Sequence, residues 1–300
     1  MIKYIAVVIC MNSRELLKLI TQDGNNFDVE TVIDLLFMEY KKKCNDRSIY
    51  EIRDFLPQNL IKLYYSTGSK HSNFTDIISS FKEKYIDQES KVEGVHNILE
   101  IKGLGEVYDY IRSDDWKKCP NIYIILLINL KLFSFTPYPE AGGKFRNSNC
   151  YLLDSKIETT PYNYIDKEIS SLYNEFDFLL KEGISLGNDK TLFNENRLIE
   201  YISKCLDLKV RLINIHPFSD GNGRTMRALV NLLFKIANLP PIYVKLSEKE
   251  EYLNSMNQAI INNDYGYINR FYYYKICDSI MELDINNRID NNIKIKKLIK

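Results

Sequence analysis

The sequence predicts an all-α chain with one small β-hairpin serving as a flap. Three observations carry that reading. Apolar residues recur at spacings of three and four through most of the 300 residues, the period of an amphipathic helix. Helix breakers are sparse, with 8 prolines and 12 glycines. Only the region 136–158 combines turn residues with polar–apolar alternation.

The elements follow in chain order. The opening MIKYIAVVICMNSRELL holds an apolar run from Tyr4 to Met11. That run is too short to span a membrane. No small-residue cleavage site precedes the charges after it, so it reads as a strand or a buried helix start and implies a cytoplasmic chain. FDVETVIDLLFMEYKKK (27–43) is a helix with Val29, Val32, Ile33, Leu36 and Phe37 on its apolar face. STGSKHSN (66–73) has a linker's composition. TPYPEAGGKFRNSNC (136–150), with YLLDSKIETTPYN after it, predicts a loop and a short hairpin near 143–158. YIDKEISSLYNEFDFLLKEG (164–183) predicts a helix capped by Gly183. NENRLIEYISKCLDLKVRLINI (194–215) is apolar on more than one face and predicts a buried central helix. GRTMRALVNLLFKIANL (223–239) is a second apolar helix, stopped by Pro240 and Pro241. The basic end IKIKKLIK (293–300) reads as a solvated terminus.

Bulk composition excludes several classes. Lys plus Arg and Asp plus Glu both number 40, so no global field draws the chain to nucleic acid or to a membrane. Apolar residues make up 45% and charged residues 27%, which suits a folded globular chain. The six cysteines, at 10, 44, 119, 150, 205 and 277, form no C-x-x-C pair. They predict neither a zinc site nor a disulfide framework.

The chemistry is concentrated in HPFSDGNGRTMR (216–227), a loop between the two apolar helices. Gly221 and Gly223 allow close approach of backbone to a ligand. They open a helix, where free N–H groups and the positive dipole end suit an anion. Asn222 can add a donor. Arg224 and Arg227 are three apart on one helix face, and two forked guanidiniums match phosphate oxygens. Asp220 would repel a polyphosphate unless it holds Mg²⁺. A neutral His216 could take a proton from an attacking hydroxyl. Together these residues predict group transfer from a Mg²⁺-nucleotide to a hydroxyl.

The string resembles the signature of the Fic (filamentation induced by cAMP) family, His-x-Phe-x-(Asp/Glu)-Gly-Asn-Gly-Arg-x-x-Arg, at every fixed position. The resemblance covers roughly residues 88–282 and leaves an N-terminal extension (1–87) of unknown role and a basic tail (283–300). PEAGGKFRNSNCYLL (139–153) resembles the family's hairpin flap, which implies that Lys144, Phe145, Arg146 and Cys150 help dock a target segment. GLGEVYDYI (103–111) resembles the early core helix, and ANLPPIYVK (237–245) with the region from Tyr252 to Phe271 the closing helices. Asn129 stands where the family often has His and is expected to be structural.

The family's usual activity is transfer of AMP from ATP to a Ser, Thr or Tyr hydroxyl of a target protein. The resemblance therefore implies His216 as base, Asp220 as the Mg²⁺ ligand, and Gly221, Asn222 and Gly223 as the anion cradle. It implies that Arg224 and Arg227 hold the outer phosphates and that Tyr252 borders the adenine pocket. ESKVEGVHN (89–97) resembles the family's inhibitory helix, (Ser/Thr)-x-x-x-Glu-(Gly/Asn). Glu93 and Gly94 fit, while Glu89 stands in place of Ser or Thr. That resemblance implies a helix near 86–97 whose Glu93 pairs with Arg227 and blocks the γ-phosphate. The competing readings are transfer of UMP, phosphocholine or phosphate on the same fold, removal of AMP from a target, and a non-enzymatic binding module. Gly223 speaks against the phosphorylating branch, which usually has lysine there. Partners implied are ATP, a hydroxyl-bearing protein (the chain itself included) and a second copy in a homodimer.

Overall fold

The computed structural model describes residues 74–150, 158–188, 195–276, 278, 279 and 282. The expected helix at 27–43, the linker at 66–73, the basic tail and most of the N-terminal extension lie outside these residues. So does the centre of the expected hairpin, 151–157. Its first flank, 142–150, is irregular, and there is no sheet among the described residues.

Among the described residues, eight α-helices form the frame: α1 (Phe74–Glu93), α2 (Ile98–Arg112), α3 (Ile124–Phe133), α4 (Ile165–Ser171), α5 (Tyr173–Asn188), α6 (Glu195–Ile215), α7 (Asn222–Ile236) and α8 (Lys249–Asn262). A last helical stretch covers 266–276. Position 87 lies within α1.

The centre of the molecule is α7, whose residues are all buried except Gly223 and Lys235. It packs on α2, α3, α5 and α6. The expected central helix was 194–215, but α6 keeps a charged face in water. Glu200 pairs with Lys204 and Asp207 with Arg211 at one-turn spacing, so α6 is amphipathic.

The helix expected over 164–183 is two helices, broken at Leu172, and Gly183 lies inside α5 instead of capping it. A Cβ at Gly183 would stand 2.5 Å from the Tyr201 hydroxyl and 3.1 Å from Ile236 Cγ2. The glycine permits close packing of α5 on α6 and α7; it does not end a helix.

The end of α1 is set by Gly94, in the left-handed region at φ 67°. The Val95 N–H donates back to the Ser90 carbonyl at 2.8 Å, the arrangement of a glycine-terminated helix. Three residues later Asn97 caps α2, accepting from the Leu99 N–H at 2.9 Å. The turn between them brings α1 and α2 against each other and both against α7. Phe81, Tyr85, Tyr108 and Tyr243 form a small core beneath α1, separate from the main one.

Candidate active site

The loop from His216 to Gly221 links the two long helices, and each end is fixed by the backbone. The His216 N–H donates to the Leu212 carbonyl at 3.1 Å, closing α6, and the residue turns to φ 52°. Gly221 caps α7 at φ 76°. Its Cβ position lies 3.2 Å from Asn129 Nδ2, Leu132 Cδ1 and Phe133 Cε2, so this turn has neither the conformation nor the room for a side chain.

Three side chains hold the loop. The Asn222 amide closes on Phe218, accepting from its N–H at 2.9 Å and donating to its carbonyl at 2.8 Å. Asn129, fully buried on α3, donates to the Asp220 carbonyl and to Thr225 Oγ1, both at 3.2 Å, and accepts from the Gly143 N–H at 3.0 Å. Arg146 is turned inward. Its guanidinium donates to the carbonyls of His216 and Ser148 at 2.7 Å, of Ile215 at 3.4 Å, and of Thr160. Its own N–H donates to the Pro217 carbonyl at 2.9 Å. Beside it, Phe145 packs on Phe218 at 6.1 Å between ring centres. Lys144 is exposed, and the Cys150 carbonyl accepts from the Thr159 hydroxyl at 2.6 Å.

Burial holds the His216 imidazole below its usual pKa, the nearby Arg146 charge adding to this and the Ile213 backbone acting the other way. The neutral form therefore dominates at pH 7, as a proton acceptor requires.

The amide of Asn222 is engaged with Phe218, so what the start of α7 offers an anion is backbone. The first hydrogen bond of this turn runs from the Thr225 N–H to the Gly221 carbonyl at 2.9 Å. The N–H groups of the residues before Thr225 have no partner within the helix. Asp220 flanks them, accepting from the Gly221 N–H at 2.6 Å, with its side chain 66% exposed. Among the described residues no group of three His, Cys, Asp or Glu stands ready to hold a metal. One exposed carboxylate beside an anion site nevertheless suits Mg²⁺, which binds through one or two carboxylates, waters and substrate phosphates.

Both arginines are paired with carboxylates that precede them in the chain. Arg224 meets Glu100 of α2 at 2.9 Å and Asp220 at 3.3 Å; the Tyr138 hydroxyl donates to Glu100 at 3.2 Å. Arg227 meets Glu93 of α1 at 2.6 Å through Nη2. Burial raises the Glu93 carboxyl pKa, but the Arg227 guanidinium outweighs it and holds the group below its usual value. Glu93 also covers the helix start: a Cβ on Gly223 would lie 2.8 Å from Glu93 Oε1 and 3.0 Å from Arg227 Nη1.

Arg227 has a second partner, Glu89, whose two oxygens accept from Nε at 3.0 and 2.8 Å. Tyr252 lies behind this cluster. It is buried, with its ring 5.8 Å from the Arg227 guanidinium and 4.6 Å from the Lys209 ammonium. Sequence reasoning did not place Glu89, Glu100 or Lys209 in the site. The one-turn spacing of Glu89 and Glu93 was a signal that both face the same way. Lys209, at an apolar register of α6, was another. Glu100 carried no signal, because only the packing of α2 on α7 brings it to Arg224.

Residues 121–234 match the Fic/DOC family. That stretch begins just before α3, runs almost to the end of α7 and contains the whole loop. It is a Fic domain. The chain is 27% identical over 166 residues to the protein adenylyltransferase Fic of Nematostella vectensis, covering 55% of this chain and 34% of that one. It is 28% identical over 200 residues to the protein adenylyltransferase Fic of Aedes aegypti, covering 66% and 36%. The chain thus spans about a third of the length of these curated relatives. A Fic-domain-containing signaling protein from Bacteroides thetaiotaomicron superposes with TM-score 0.58 at 17% identity, over 75% of this chain and 94% of that one. A fragment of Fic-1 from C. elegans carrying one substitution superposes with TM-score 0.53 at 16% identity, over 93% and 81%. At those identities the likeness is one of fold, and the fold is helical in all three. Among the described residues of the chain, no helix is long and apolar enough to cross a membrane.

Proposed function

We propose that the chain is a protein adenylyltransferase that moves AMP from ATP to a Ser, Thr or Tyr hydroxyl of a target protein and is held back by Glu93. The observation that carries this reading is the convergence at one helix start. A neutral imidazole, an open row of N–H groups and two arginines meet there, with a carboxylate lying over them.

The target hydroxyl gives its proton to His216 as its oxygen attacks the α-phosphorus. The bond from that phosphorus to the β-phosphate bridging oxygen breaks, and pyrophosphate leaves. The N–H groups of Asn222 and Gly223, behind the turn of Gly221, receive phosphate oxygens. Arg224 and Arg227 stabilise the outer phosphates, where negative charge grows. Mg²⁺, held by Asp220, would neutralise phosphate charge. The strip from Lys144 to Cys150 would receive the target segment. Arg146 serves that strip by tying it to the loop, and Tyr252 serves by backing Arg227 from the interior. In this reading residues 88–282 are the catalytic unit, and Glu93 must leave Arg227 before the γ-phosphate can seat.

Intact-mass measurement after incubation with Mg²⁺-ATP tests the proposal on wild type, Glu93→Gly and Glu93→Gly/His216→Ala. An AMP-sized gain on the chain or on an added lysate target in Glu93→Gly alone is the expected result. His216→Ala should lower transfer by about 10²–10⁴-fold, the usual share of a general base. A phosphate-sized gain would reassign the transferred group. Equal gain in wild type and Glu93→Gly would remove the brake.

A further inference from the structure

Glu93 is one of two carboxylates on Arg227, and the two are held differently. Glu89 spans the Nε–Nη2 edge, with both oxygens on Nε and one 2.8 Å from Nη2. Its side chain is 1% exposed. Glu93 reaches Nη2 alone, through Oε1 at 2.6 Å, and its side chain is 32% exposed. The remaining nitrogen, Nη1, is turned to Gly223, at the cradle.

The surroundings make Glu89 hard to remove. Arg227 is 4% exposed and Lys209 is fully buried. Lys209 has Met256 Sδ at 3.0 Å and the rings of Tyr252 and Tyr272 at 4.6 and 5.0 Å. Without Glu89, the buried Arg227 would be left with one third-exposed carboxylate, and an unpaired buried charge is strongly unfavourable. A bidentate carboxylate also fixes the plane of a guanidinium, which a single contact does not. An incoming phosphate can reach the solvent side of Arg227, where Glu93 sits. It cannot reach the edge that Glu89 covers.

We propose that Glu89 is a positioning residue: it holds Arg227 with Nη1 aimed at the Gly223 cradle whether or not Glu93 is in place, so that Glu93 alone is exchanged for phosphate. The two glutamates, one turn apart on α1, thus have opposite effects on nucleotide binding. This rests on Arg227 being a phosphate ligand, as the proposed function requires.

Titration calorimetry on the full chain tests it, with Mg²⁺-ATP and AMP as the two probes. The proteins are wild type, Glu93→Gly, Glu89→Gln and Glu93→Gly/Glu89→Gln. Glu93→Gly should bind ATP about tenfold or more tightly than wild type. Glu89→Gln alone should bring no such gain. In the double variant the ATP gain should be lost while AMP, which lacks the outer phosphates, binds as in Glu93→Gly. That split separates positioning of Arg227 from a general loss of structure. If Glu89→Gln does not give a folded near-ultraviolet spectrum, Glu89→Asp replaces it, keeping the charge but shortening the reach, with the same expectations.

An ATP gain in Glu89→Gln equal to that of Glu93→Gly would make Glu89 a second brake and overturn the inference. So would a double variant that keeps the ATP gain. Failure of every protein to bind either probe would overturn the nucleotide reading and this inference with it. The expected binding pattern without AMP transfer would sink the transferase reading alone.

Discussion

His216 and Arg146 show how single residues set the loop. The imidazole is partly buried, and its lowered pKa keeps it neutral at physiological pH. If it is the base, transfer should be flat with pH above about 6.5 and fall only below that usual imidazole value. A pH profile of kcat/KM on Glu93→Gly reads this directly. The sign for stability is the same: with a depressed native pKa, the contribution is full above the unfolded value and lost as pH falls through the native one. Arg146 donates to four carbonyls, those of Ile215, His216, Ser148 and Thr160. Lysine cannot reproduce that fan. Arg146→Lys should cost about 2–3 kcal/mol, from unsatisfied buried carbonyls. Thermal unfolding measures it, and an unchanged midpoint would deny the clamp.

At the scale of elements, close approach decides more than propensity. Where α2 crosses α3, a Cβ at Gly103 would lie 2.1 Å from the Leu132 carbonyl oxygen. Alanine gains about 1 kcal/mol of helix propensity over glycine, but a backbone oxygen has nowhere to go. Gly103→Ala should therefore be net destabilising, by about 1–3 kcal/mol, as read by denaturant midpoint. A stabilised variant would show that α2 and α3 can separate freely. The same logic explains Gly183, which reads as a cap in sequence and is a contact point in the fold. Gly94 is the reverse case. Its Cβ position is open, and only its positive φ calls for glycine, so it ends α1 directly after Glu93.

For the whole molecule, the placement of α1 matters most. It docks on α2 through a small core of Phe81, Tyr85, Tyr108 and Tyr243, and it carries both Glu89 and Glu93 to Arg227. On the proposed roles of Glu89 and Glu93, loosening the helix as a unit would remove anchor and brake together. Phe81→Ala, which leaves a cavity beneath α1, is therefore expected not to reproduce the tighter ATP binding of Glu93→Gly. Calorimetry against the same nucleotide checks this, and a matching gain would mean that undocking α1 is itself the activating step.

By itself the sequence determined the helical class, the two long helices around the loop, and the chemistry proposed for 216–227. Those features are local: a 3.6-residue period, glycines at a helix start, and charged groups within four residues of each other. Glu93 was legible only through the resemblance of ESKVEGVHN to the Fic family's inhibitory helix. Which helix lies at the centre was not legible, because α6 and α7 are both apolar and only packing reveals that α6 keeps a charged face in water. Nor was the pairing of Glu100 with Arg224, or the second grip of Glu89 on Arg227. Those contacts join residues 124 and 138 positions apart. No local period records such a meeting; the tertiary structure decides it by laying α1 and α2 across the start of α7.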